Sequence, residues 1–113
     1  MKVFFDYNNP AMRSVSASAA QDTSLGEALR VLSTLRRERS FMGVMIAGDQ
    51  VLQFYVTEPG TVWIEILDRQ VREATGALGS LPIAEQALRA CYEGQGIKAA
   101  LEPYLLDWKV EQI

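Results

Sequence analysis

Between residues 24 and 38 the apolar side chains recur every three or four positions, which is the spacing of one face of an α-helix. They are Leu25, Ala28, Leu29, Leu32 and Leu35. Ser24 and Glu27 have the capping-box spacing, in which the serine hydroxyl accepts from the backbone N–H of Glu27 and the glutamate reaches back. The pattern predicts a helix over residues 24–38. The arginines at 36–39 would lie in its last turn, where they favour the negative end of the helix dipole.

Segments rich in β-branched and aromatic residues flank this helix and predict strands. The predicted strands cover residues 2–7, 41–47, 51–57, 61–67 and 106–111. The three middle strands are joined by the short turns 48–50 and 58–60, so we expect an antiparallel meander. Residues 11–22 are small and polar and predict a loop. Residues 68–80 predict a charged loop, with or without a helical turn.

A second helix is predicted after Ser80, which stands at a capping position with Pro82 in the first turn. Its helically repeating apolar residues are Ile83, Ala84, Ala87, Leu88 and Cys91. Gly94 and Gly96 end it. The order β-α-β-β-β-α-β predicts an α+β fold in a single domain, residues 1–113. Its two layers would be a largely antiparallel sheet and two helices packed on one face.

The reactive side chains argue against catalysis. The sequence contains no histidine, which removes the commonest general base, the Ser-His triads and the Cys-His pair. One cysteine, Cys91, cannot build a Cys₄ zinc site, and Gly76 and Gly79 lack the strand and lysine of a phosphate-binding loop. Asp107 and Glu111 share one side of the last predicted strand, which we interpret as a solvated face. The sequence therefore predicts a non-enzyme with no cofactor and no metal.

Charge and targeting signals narrow the choice of partner. The net charge is −3 and the pI is about 4.9, which disfavours a nucleic-acid partner. The short basic run at 36–39 lacks interleaved aromatic residues and is interpreted as a solvated helix end. No apolar run is long enough for a signal peptide or a membrane span. A single cysteine, interpreted as buried and structural, suits a reducing compartment. We therefore expect a cytoplasmic protein that binds neither membranes nor nucleic acids.

Alternation along the third meander strand indicates a candidate binding surface. Every second residue from 62 to 66 forms a core-like apolar run, and Trp63 lies on the opposite face with Tyr55 of the preceding strand. Tryptophan and tyrosine are over-represented at the energetic centres of interfaces, and acidic residues stand nearby. The predicted partner-binding patch comprises Tyr55, Glu58, Trp63, Glu65 and Asp68. The alternative is the inverse assignment of faces, with Trp63 in the core.

The order of motifs over residues 24–111 resembles the Imm1-like family of immunity proteins from bacterial polymorphic toxin systems. The motifs are Ser24-Leu25-Gly26-Glu27-Ala28-Leu29, Phe41-Met42-Gly43-Val44-Met45-Ile46, Gly48-Asp49, the strand 51–56, Pro59-Gly60, Val62-Trp63-Ile64-Glu65-Ile66, Ala84, Ala87, Ala90, Gly94 and Leu106-Asp107-Trp108. The resemblance implies a cytoplasmic, acidic-leaning, non-enzymatic protein. Its partner would be a cognate toxin, often a deaminase or a nuclease, which it neutralises by binding. The first 23 residues do not contribute to the resemblance.

Three functions fit these observations. The leading hypothesis is an immunity protein that binds a toxin domain and occludes its active site. The second is another small inhibitor or adaptor, phage- or defence-related, that binds a different protein. The third is a small enzyme or ligand-binding domain with a pocket between sheet and helices. The sequence leaves the oligomeric state open, including a homodimer formed through an exposed edge strand.

Overall fold

The computed structural model describes residues 1–46, 49–101 and 109–112. Within them the strands are β1 (Lys2–Asp6), β2 (Gln21–Asp22), β3 (Phe41–Ile46), β4 (Gln50–Glu58), β5 (Thr61–Asp68), β6 (Glu73–Gly79) and β7 (Lys109–Gln112). The α-helices are α1 (Leu25–Thr34), α2 (Leu81–Tyr92) and α3 (Ile97–Leu101). A single 3-10 turn covers Ala17–Ala19.

The described strands form one sheet in the order β2-β1-β3-β4-β5-β6-β7, and every neighbouring pair is antiparallel. The predicted meander corresponds to β3, β4 and β5, which lie consecutively in the middle of this sheet. Short connections between successive strands dictate this antiparallel pairing.

The core lies between one face of the sheet and the two longer helices. It includes Leu52, Phe54, Val56, Val62 and Ile64 from β4 and β5, and Ala28, Val31, Leu32, Ala84, Ala87 and Leu88 from α1 and α2. Each strand contributes every second residue, and each helix contributes one stripe. The predicted α+β fold, with helices packed on one face of an antiparallel sheet, is confirmed. The buried position predicted for Cys91 is confirmed as well.

The start of α1 follows the sequence prediction in part. The Ser24 hydroxyl accepts a hydrogen bond from the backbone N–H of Glu27 at 3.2 Å. In a complete capping box the Glu27 carboxylate would bond to the backbone N–H of Ser24. Here it pairs with the Arg30 guanidinium instead, at 2.8 Å. The hydrogen bond to the serine hydroxyl is therefore present as predicted, and the one from the glutamate is replaced by an ion pair one turn along the helix.

The end of α1 differs from the prediction. The hydroxyls of Ser33 and Thr34 both donate to the carbonyl of Arg30, at 2.8 and 2.7 Å, and Leu35 already has an extended backbone. Side-chain hydroxyls offer the backbone an alternative to helical hydrogen bonds, which explains the early end. The prediction of a helix to residue 38 is therefore wrong, and the arginines at 36–39 lie in the loop before β3 rather than in a last helical turn.

The loop predicted for residues 68–80 is also wrong for most of its length. β6 pairs with β5 on one side and with β7 on the other. Its sequence contains Ala74, Gly76, Ala77 and Gly79, which have low intrinsic strand propensity, so pairing with two neighbours overrides the local preference. The turn itself is confined to residues 69–72, where Arg72 has a positive φ of 54°.

Both ends of the sheet depart from the predicted elements. Phe5 and Val15 exchange backbone hydrogen bonds of 2.9 Å, and β2 pairs with the start of β1, so part of the predicted loop 11–22 covers the outer edge of β1. Such short edge segments limit edge-to-edge association. Residues 106–108 of the predicted last strand lie outside the described residues, as do Ala47 and Gly48 at the first meander turn.

Candidate functional site

The face of the sheet turned away from the helices, called the open face, carries a line of large side chains across four adjacent strands. Register pairs Phe41 with Tyr55, Tyr55 with Trp63, and Trp63 with Leu78. These four residues are called the aromatic row. Tyr55 is 40% exposed and Leu78 56% exposed, while Phe41 and Trp63 are half-buried. The row therefore forms a partly exposed apolar strip in the middle of the sheet.

The position of Trp63 follows the predicted alternation of faces. Its neighbours Val62 and Ile64 are buried in the helix-side core, and so is Phe54, the residue before Tyr55. Because successive side chains of a strand point to opposite faces, Trp63 and Tyr55 lie on the open face. The alternative assignment, with Trp63 in the core, is wrong.

Trp63 is held in place by two neighbours. A Cβ built on Gly76 would stand only 2.5 Å from the indole Cζ2 atom, so the ring occupies the space that a side chain on β6 would need. The indole Nε1–H donates a hydrogen bond of 3.1 Å to Oε2 of Glu65. The indole is thus fixed against the backbone of Gly76 on one side and tied to a carboxylate at its edge.

A second aromatic ring lies on a glycine at the other side of the open face. A Cβ on Gly43 of β3 would stand 2.1 Å from Cζ of Phe4, so this ring also fills the place of a missing side chain. Phe4 contacts Phe41 edge-on, with 6.3 Å between ring centroids. This packing is favourable for aromatic pairs and connects the aromatic row to β1.

The open face of the central strands carries two carboxylates. Glu65 stands beside Trp63, and Glu58 pairs in register with Thr61 beyond a bulge in β4 and accepts a hydrogen bond of 3.4 Å from its hydroxyl. Among the described positions of β3 to β6, the strands place no basic residue on this face. The charge of these four strands on this face is therefore negative, although register places Lys2 of β1 and Lys109 of β7 on the same face and the loop before β3 carries exposed arginines.

Asp68 does not belong to this patch. It lies three residues after Glu65 and therefore on the other face of β5, at the end where the strand enters the turn. Its carboxylate accepts from Nε2 of Gln50 at 3.1 Å and from the backbone N–H of Gln70 at 3.0 Å. These hydrogen bonds, the one from Gln50 first, lower the pKa of Asp68. The structure thus groups Tyr55, Glu58, Trp63 and Glu65 and makes Asp68 a turn-stabilising residue.

Three residues of the open face were missed by sequence reasoning. Phe41 was predicted as a strand residue, but nothing indicated that it would stand beside Tyr55. Leu78 lies in the segment predicted as a loop, and the contact of Gly76 with Trp63 depends on the pairing of β5 with β6. The strand at residues 73–79 was hidden because its small side chains carry a weak hydrophobic signal.

The described residues of the arginine run before β3 are held by backbone contacts rather than grouped into a reactive site. Arg37 donates to the backbone carbonyl of Asn8 at 3.2 Å, and the backbone N–H of Arg39 donates to the carbonyl of Val56 at 2.9 Å, so this loop is tied to the segment after β1 and to β4. Asp107 lies outside the described residues, and Glu111 is placed by its backbone pairing with Ala74.

Two hollows lie on the helix side of the sheet, where a small ligand would bind under the third hypothesis. The smaller, about 290 Å³, lies near the end of α1 and includes Arg36, Val62 and Leu81 in its lining. The larger, about 510 Å³, includes Gln50, Cys91 and Ile97. Both are within or near the size range of ligand sites. Their polar groups are few, and the thiol in the larger hollow is protonated at neutral pH because burial raises the pKa of Cys91 to about 11.

Burial predicts an unreactive Cys91. The side chain is 3% exposed and its thiol lies 3.5 Å from Sδ of Met1. A thiolate is the reactive form, so we expect the native thiol to react with Ellman's reagent at pH 7.5 on the order of a hundredfold more slowly than an unstructured thiol. The matched control is the same protein in guanidinium chloride, which should react at the ordinary rate. Equal rates in the two conditions would contradict the burial of Cys91.

No family model, curated protein or solved structure matches this chain. The resemblance to the Imm1-like family therefore rests on the order of motifs alone. Within the residues that the structure describes, no three His, Cys, Asp or Glu side chains are grouped to hold a metal ion. None of the described helices has the length and apolar character needed to cross a membrane.

Proposed function

We propose that this chain is an immunity protein, a non-enzymatic inhibitor that binds a cognate bacterial toxin domain and occludes its active site. The observation that carries the proposal is the open face, where the aromatic row stands beside the carboxylates of Glu58 and Glu65. An exposed apolar strip of this kind on a sheet marks a surface for a macromolecular partner.

The side chains of the open face suit a protein interface. Trp63 and Tyr55 are of the residue types that dominate the binding energy of interfaces, and they stand at the centre of the strip. Trp63 is already fixed by Gly76 and Glu65, so binding would cost little side-chain entropy there. A partly exposed, pre-ordered centre is what an inhibitor with a single specific partner requires.

The negative charge of the open face suits a toxin that acts on nucleic acid. Such a toxin needs a basic cleft for phosphates, and carboxylates on the inhibitor would steer association toward it. Glu58 is exposed near the rim, which fits steering, and Glu65 lies beside the aromatic centre, which fits pairing in the bound state. A deaminase or nuclease domain is therefore the proposed target, and the cytoplasm the proposed place of action, where a single cysteine stays reduced.

Co-purification tests the proposal directly. The tagged full chain is expressed with the product of the neighbouring gene, and we expect a stable complex that elutes as one species in size-exclusion chromatography. We also expect the deaminase or nuclease activity of that partner to fall when the chain is added. A complex that leaves the activity intact would favour the adaptor function instead. No complex and no inhibition would overturn the proposal.

A further inference from the structure

The indole of Trp63 and the carboxylate of Glu65 form one unit on the open face. Oε2 of Glu65 accepts the indole N–H at 3.1 Å, which places the carboxylate at the edge of the ring. This is the one hydrogen bond that the described residues give to the Glu65 side chain, so its second oxygen remains able to accept from a partner. An aromatic ring with a carboxylate at its edge attracts a cation from two directions at once.

The surroundings favour a cation further. Register places Gln53 beside Glu65 on β4 and Gly76 beside it on β6, so neither strand neighbour supplies a positive charge. The nearest aromatic neighbour of Trp63 in register is Tyr55, which is 40% exposed and adds a second ring to the same surface. No positive charge therefore stands in register with Glu65 on β4 or β6, and the next residue of its row is Lys109 of β7, which pairs with Gly76.

We propose that Trp63 and Glu65 form a seat for an arginine side chain of the partner protein. This inference rests on the proposed function, because it names the chemistry that the partner brings to the open face. The guanidinium stacks on the outward part of the indole within about 6 Å of its centroid and donates to the second oxygen of Glu65. Both contacts use the fixed arrangement that Gly76 imposes on the ring.

Arginine fits this seat better than lysine. The guanidinium is planar, so it stacks on a ring while its N–H groups point outward in the guanidinium plane, parallel to the ring, and can reach a carboxylate at the ring edge. A lysine ammonium is a compact and strongly hydrated charge that gains less from a ring face and cannot pair in a fork. Toxins that act on nucleic acid carry arginines for phosphate binding, so an inhibitor that captures one would block the cleft itself.

The test uses NMR spectroscopy of the full chain and small probes. Acetyl-arginine-methylamide is titrated into the protein while the indole N–H signal of Trp63 is followed, assigned by its loss in Trp63→Phe because the sequence has a second tryptophan. We expect a saturable shift with a dissociation constant of roughly millimolar order. Acetyl-citrulline-methylamide, the neutral isostere, should bind about fivefold more weakly. The lysine analogue should fall between the two.

Two variants separate the seat from a general charge effect. Glu65→Gln keeps an oxygen for the indole N–H but removes the charge, so arginine binding should weaken about threefold to fivefold with an unchanged melting temperature. Glu58→Gln removes a carboxylate of the same face away from the ring, and the arginine affinity should stay within about twofold. Equal effects of the two variants would overturn the seat, as would equal binding of arginine and citrulline or of arginine and lysine.

The outcomes for the seat and for the proposed function are distinguishable. Arginine binding without a co-purified partner would support the seat and contradict the immunity function. A co-purified and inhibited toxin, combined with no discrimination between arginine and citrulline, would support the function and overturn the seat. The two experiments share no reagent apart from the chain itself.

Discussion

Phe54→Ala is expected to lower the free energy of unfolding by about 3–5 kcal/mol. Phe54 lies in the middle of β4, is 0% exposed and is the largest fully buried side chain among the residues that the structure describes. Its removal leaves a cavity between the sheet and the helices, where the surrounding residues of a tightly packed core cannot fully collapse. Domains of this size have a total stability of roughly 5–15 kcal/mol, so the variant would be partly unfolded near its working temperature.

The matched control is the next residue. Tyr55 is 40% exposed on the opposite face, so Tyr55→Ala should cost roughly 1 kcal/mol or less, mainly through lost cross-strand contact with Phe41 and Trp63. Urea unfolding followed by circular dichroism measures both, and the midpoints are compared at equal slopes. Similar losses for the two variants would show that the assignment of the faces of β4 is wrong.

Long local patterns were enough to predict the central part of the fold. The 3.6-residue period after Ser24 located α1, because a serine cap and an apolar stripe are signals contained within one short segment. The meander followed from three β-rich segments joined by short turns, since such turns allow antiparallel pairing only. The faces of β5 followed from strict alternation around Trp63, and this alternation placed Trp63 and Glu65 on the same face.

Features that depend on tertiary pairing could not be predicted in the same way. β6 was missed because alanine and glycine carry little strand signal, yet Gly76 matters for what it lacks, since the indole of Trp63 fills the place of its side chain. The place of Leu78 in the aromatic row was not predicted either, because it lies in the same strand of weak sequence signal. Asp68 was grouped with Glu65 by closeness in sequence, whereas an odd separation of three residues puts the two on opposite faces.

The contact that the sequence did not predict and the candidate site depend on the same feature, a glycine beneath an aromatic ring. A glycine under an aromatic ring is invisible to periodicity, but it fixes the ring without a bulky neighbour and leaves the outward part of the ring accessible. Among the described residues the open face has two such pairs, Phe4 on Gly43 and Trp63 on Gly76. Phe4 is 8% exposed and contacts Phe41, so that pair stabilises the sheet. Trp63 keeps more exposure and a carboxylate partner, which makes it the member available for binding.

Trp63→Ala is therefore expected to weaken binding of the proposed toxin partner by about 2 kcal/mol or more, roughly thirtyfold in the dissociation constant. The substitution removes the centre of the aromatic row and also the ring that orders Glu65. Glu65→Lys should weaken binding as well, because it places a positive charge opposite a basic cleft. Isothermal titration calorimetry measures both affinities, and melting temperatures identify any loss that comes from unfolding.

Val71→Ala is the matched control for this loss of affinity. Val71 is an exposed apolar residue, at 57%, but it lies in the turn between β5 and β6 rather than on the open face. Its truncation should change the dissociation constant by about twofold at most, since scattered surface residues contribute little to an interface centred elsewhere. Unchanged affinity for both Trp63→Ala and Glu65→Lys would move the interface away from the open face. An effect of Val71→Ala as large as that of Trp63→Ala would place the interface at the turn between β5 and β6. Only an interface centred there would give the two residues equal contributions to binding.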